Sequence, residues 1–82
     1  MEKERGYQGI IQKIINNGKH GPYAVARVEE LGLVTFALDP KIWQEEDWPE
    51  CGIFVVLSQV RKKRAGWRAQ HGRFLQPSDE SQ

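Results

Sequence analysis

Hydrophobic residues in this chain gather in short, β-branched runs that alternate with clusters of turn-forming residues. The first run is Gly9-Ile10-Ile11-Gln12-Lys13-Ile14-Ile15, closed by Asn16-Asn17-Gly18-Lys19-His20-Gly21-Pro22. Tyr23-Ala24-Val25-Ala26-Arg27-Val28 is the second, and Glu29-Glu30-Leu31-Gly32 turns it into the third, Leu33-Val34-Thr35-Phe36-Ala37-Leu38. Residues 53–60, opening Ile53-Phe54-Val55-Val56-Leu57, form the fourth, and a less regular fifth covers residues 67–75. Runs of this length bounded by Gly, Pro and Asn predict β-strands. In the second run a period of two puts Tyr23, Val25 and Arg27 on one face, with Ala24, Ala26 and Val28 on the other. The small alanines suit the interior of a tight barrel.

Residues 39–52 make one long connection between the third and fourth runs. Asp39 as a cap with Pro40 behind it starts a helical turn, and Pro49 and Gly52 stop anything longer. Trp43 and Trp48 in this loop are expected to lie over an open end of the core, because the acids around them would repel a nucleic-acid backbone. Five strands with short hairpins and one long loop predict an all-β fold, a small five-stranded antiparallel barrel whose closure removes exposed sheet edges. The oligonucleotide/oligosaccharide-binding (OB) barrel is the first candidate and an SH3-like barrel the alternative. One domain over residues 6–76 is expected, with 1–5 and 77–82 as flexible ends.

Eighty-two residues leave room for one small core. A hydrophobic share of 39% and a charged share of 28% fit a folded globular chain. No apolar run reaches the roughly 20 residues that span a bilayer. The charged N-terminus leads into no secretory segment, so no membrane partner and a cytoplasmic location are expected. Cys51 is the only cysteine and His20 and His71 the only histidines, a set that predicts no disulfide, no zinc site and no cofactor. The net charge of +1 hides a strong polarity. Residues 29–50 hold seven acids against Lys41 alone, whereas residues 61–73 hold six cations and no acid. Arg61-Lys62-Lys63-Arg64-Ala65-Gly66-Trp67-Arg68 is the densest stretch, and its place between two strands makes it a hairpin tip. Charge of this kind with a flat ring beside it suits a phosphate backbone and an unstacked base; it also suits a merely soluble tip.

The order of the motifs resembles the cold-shock domain. Gly9-x-Ile11, Gly21-Pro22-Tyr23-Ala24-Val25-Ala26 and Val34-Thr35-Phe36-Ala37-Leu38 are similar to its first three strands. Gly52-Ile53-Phe54-Val55 and Gly66-Trp67-Arg68-Ala69 are similar to its last two. The resemblance covers residues 7 to 75 and implies an OB barrel that stacks single-stranded bases on rings of strands two and three. It implies stacking roles for Tyr23 and Phe36. Val25 stands where a second ring is expected, Leu38 where a histidine is, and Lys13 at or beside a tryptophan position. Stacking contributes roughly 1–3 kcal/mol per base, so this depletion is large.

Three classes of function follow. The first is binding of single-stranded RNA or DNA, RNA before DNA, through Lys13, Tyr23, Arg27, Phe36, Arg61, Lys62, Lys63, Arg64, Trp67 and Arg68, with Lys19 also following phosphates. The second is a protein-interaction or self-association module that uses Val25, Phe36 and Leu38. The third, an enzyme, has no support in a Gly-rich phosphate loop, a nucleophile elbow or a zinc-binding helix motif, and no catalytic residue is assigned.

Overall fold

Each hydrophobic run becomes a strand. The computed structural model describes residues 6–19, 21–64 and 66–76; the two ends expected to be flexible lie outside the described residues. β1 (Tyr7–Ile15), β2 (Tyr23–Val28), β3 (Gly32–Ala37), β4 (Phe54–Lys63) and β5 (Gly66–Phe74) close into a barrel in the order β1-β2-β3-β5-β4. This is an all-β, OB-like barrel. One expectation needs correction, because the barrel is not wholly antiparallel. β3 runs parallel to β5 through Val34↔Trp67 and Thr35↔Arg68, since the long loop carries the chain across the barrel end before β4 begins.

The inward faces are sorted by size. Ala24 stands opposite Phe36 and Ala26 opposite Val34, so two small residues make room for two large ones. Ile11, Val28, Val55, Leu57 and Ala69 complete the wall, each no more than 2% exposed. The period of two in β2 is observed: Ala24, Ala26 and Val28 are buried, and Tyr23, Val25 and Arg27 face out.

Two irregularities let short strands close a barrel. The β1–β2 register shifts between Ile11 and Lys13, a bulge that switches the side-chain phase of β1. Ile11 points in, and Lys13, which would otherwise follow it, points out beside Val25. A second switch lies in the β4–β5 hairpin. Leu57↔Gly72 and Val60↔Ala69 both face the core although they stand three positions apart on each strand. Gln59 takes φ +53°, a left-handed conformation that turns the face of β4 here.

The long loop is part of the core. Asp39 Oδ1 accepts from Lys41 N at 2.9 Å and Asp39 O from Trp43 N at 2.7 Å, so the cap holds a single turn and no helix follows. That turn drives Trp43 under the barrel, 3% exposed, stacked on Phe36 at 5.6 Å and edge-on to Phe74 at 5.0 Å. Its indole Nε1 donates to Asp47 O at 2.7 Å. Gly72 N donates to Ile42 O and Gln44 N to Gly72 O, which adds the loop to the edge of β5 as a short bridge. Gly72 keeps this contact close: a Cβ would stand 3.1 Å from both Leu57 Cδ2 and the Trp43 ring, which would have to give by a few tenths of an ångström. The lid expected of the loop tryptophans is therefore Trp43; Trp48 stays 45% exposed.

Two consequences can be measured by equilibrium urea unfolding. Trp43→Ala should lower stability by about 3–5 kcal/mol, as loss of a buried ring does; a loss below about 1 kcal/mol would mean that the loop is not part of the core. At Gln59, glycine should match or exceed the native residue by up to about 1 kcal/mol, whereas isoleucine should destabilise, because only glycine takes positive φ without a Cβ clash.

Candidate functional site

The outer face of β2, β3 and β5 is built from the residues that the inward alternation leaves over. Tyr23 pairs with Ala37, and Val25 with Thr35. Thr35 continues to Arg68 across the parallel seam. Lys13 extends this arc on the β1 side through its pairing with Val25, and Arg61 extends it on the β4 side through its pairing with Arg68. At about 4.8 Å per strand, the arc from Lys13 to Arg61 measures roughly 19 Å along the barrel wall. Cations stand at its flanks and small or apolar residues at its centre.

Two shallow grooves meet on this arc. One, of about 280 Å³, is walled by Lys19, Tyr23, Thr35, Ala37 and Arg68, with Gly18, Gly21 and Pro22 of the β1–β2 loop. Gly18 lies against the Tyr23 ring so closely that a Cβ would stand 3.1 Å from Cε1. The other, of about 440 Å³, is walled by Thr35, Lys63, Arg64, Gly66, Trp67 and Arg68. Thr35 and Arg68 belong to both; Tyr23 lines the first and Trp67 the second, Trp67 from the inward phase of β5, where it pairs with the buried Val34. Thr35 Oγ1 also donates to the backbone Trp67 O at 3.4 Å, which ties the shared centre to the main chain of β5. Trp67 is half-buried against the core cluster, and Lys62 Nζ lies 5.0 Å from its ring centroid. This cation–π contact holds the ring at the root of the hairpin tip.

The electrostatics favour an anion. Arg61 and Arg68 are both exposed and directly opposite one another on the β4–β5 ladder, an arrangement in which like charges repel. Lys62, Lys63 and Arg64 follow at the exposed tip. The acids Glu45, Glu46, Asp47 and Glu50 lie before the other end of β4, nine residues away. At about 3.3 Å per residue β4 is up to roughly 30 Å long, against a longest molecular dimension of 38 Å.

Of the residues expected at the site, the fold brings Lys13, Tyr23, Arg61, Lys62, Lys63, Arg64, Trp67 and Arg68 to this arc and its tip. Phe36 must be withdrawn. It is fully buried opposite Ala24 and under Trp43, out of reach of any base. Leu38 is 6% exposed on the same inward phase, so the patch expected from Val25, Phe36 and Leu38 is reduced to Val25. The outward positions of β3 are Leu33, Thr35 and Ala37, and none is a ring. Arg27 faces out but lines a different groove, with Ile10, Glu29 and Phe54. Thr35 is the residue that the sequence reading missed. Its signal was the hairpin pairing with Val25, which follows once β2 and β3 are aligned about their turn.

Scans against protein-family models, curated proteins and solved structures return no match to this chain.

Proposed function

We propose that the β2–β3–β5 face binds single-stranded nucleic acid, RNA in the first instance, as a cold-shock-like barrel with a relocated stacking platform. The observation that carries this reading is the pair of grooves that share Thr35 and Arg68, with Tyr23 at one end and Trp67 at the other. The order of the motifs, the OB-like strand order and the position of the grooves between the β1–β2 loop and the β4–β5 tip all support it. Tyr23 stacks one base and Trp67 another. Arg68 lies between them, where its guanidinium reaches phosphate or stacks on a base. Lys13, Lys19, Arg61, Lys63 and Arg64 follow the backbone, and an anion there relieves the Arg61–Arg68 repulsion. Thr35, with a hydroxyl that both donates and accepts, faces the sugar or a base edge.

Two rings limit stacking to roughly 2–6 kcal/mol in total, so the electrostatic share is correspondingly large. Fluorescence anisotropy with short labelled RNA and DNA oligomers over a salt series tests the reading. Tyr23→Ala and Trp67→Ala should each weaken binding by about 5- to 150-fold, the equivalent of one stacked base. Arg68→Gln should flatten the log–log salt dependence by about 0.7, the value for one phosphate contact on a single strand. A duplex of the same sequence should compete poorly. Absence of binding at low salt, or affinity that salt does not change, would refute the proposal.

A further inference from the structure

The exposed large apolar side chains are not scattered. Among the described residues, three of the four, Trp48, Ile53 and Phe54, are 40–48% exposed and follow one another around the end of the long loop into β4, and the fourth, Leu33 of β3, is 59% exposed and pairs with Arg27. Trp48 and Ile53 line one groove together with Asp47 and Glu50. Phe54 pairs with Ile10 of β1, and Ile10 with Arg27 of β2. These last three wall a separate groove of about 450 Å³, with Glu29 on its rim. The result is a band with an exposed tryptophan between acids at one end and, at the other, a groove of mixed lining in which Ile10 and Phe54 stand with Arg27, Glu29 and Gln8. An exposed apolar band of this kind marks an association surface.

The charge order along the band selects the occupant. We infer that the band is the interface of an isologous dimer, in which Trp48 of each copy enters the Ile10–Phe54 groove of the other. A two-fold axis between the ends brings the tryptophan of one copy onto the groove of its partner and sets Asp47 beside Arg27, twice per dimer. Self-complementarity of this form is what a two-fold contact requires. Tryptophan and arginine are the side chains that most often anchor interfaces. A net charge of +1 leaves little repulsion between copies. The inference does not rest on the nucleic-acid reading. In the dimer the grooves at Thr35 and Arg68 lie outside the interface, and two such faces on one particle would raise the affinity for a long strand over a short one.

Light scattering and sedimentation of the full chain without nucleic acid, from micromolar to sub-millimolar concentration, test this directly. The expected mass is that of a dimer. Trp48→Ala and Phe54→Glu should each raise the dissociation constant about tenfold or more. Both side chains are exposed, and circular dichroism should show the fold unchanged. Arg27→Glu and Asp47→Arg should each weaken the dimer, and the two together should restore it. A monomer at the highest concentration, open-ended growth, a dimer unmoved by Phe54→Glu, or a double variant that stays dissociated would each overturn the inference.

Discussion

Closure of this barrel depends on one short seam. β3 and β5 meet through two parallel residue pairs, whereas every other pair of neighbouring strands shares four or more. Without that contact the chain would be an open sheet with two edges. The seam holds because Trp43 extends it, stacked under Phe36 of β3 while its neighbours Ile42 and Gln44 bond to Gly72 of β5. Glu45 Oε2 accepts from Phe74 N at 3.2 Å, and Gln44 Nε2 meets His71 Nδ1 at 2.7 Å, so the loop is fastened along β5 beyond the bridge. A loop rich in acids is thereby built into the wall of the barrel.

The same seam organises the candidate site. Thr35 and Arg68, the outward members of the β3–β5 contact, are the residues common to both grooves. Parallel pairing sets the β4–β5 tip beside the start of β3, while the β1–β2 loop lies at the other end of β3 next to Ala37, so the two grooves follow one another along the seam. The repulsive Arg61–Arg68 pair lies just beside this centre.

Much of this was legible along the chain. The second strand was read to the residue, because Tyr23-Ala24-Val25-Ala26-Arg27-Val28 alternates cleanly between turn signals. The charge polarity and the position of the basic tip were equally visible. Phe36 departs from the family pattern for a physical reason: Val34, Phe36 and Leu38 share one apolar phase, which marks an inward face. The β1 bulge and the turn of phase at Gln59 left no such trace. Both arise from the need to bend short strands around a small core, and that need exists only once the strands have paired. Gly72 was also silent, since the ring that packs closely on it lies 29 positions earlier in the chain.

The separation of charge along β4 has a kinetic consequence. With a sum of only +1, the molecule exerts little long-range pull on a polyanion. Acids before one end of β4 and cations at the other give it a dipole, and a dipole experiences torque in the field of a charged strand. Under the proposed function, the basic tip would be turned toward the strand and the acidic loop away from it before any contact forms. The gain is therefore in the fraction of encounters that arrive correctly oriented, and it fades as salt shortens the distance over which the torque is felt.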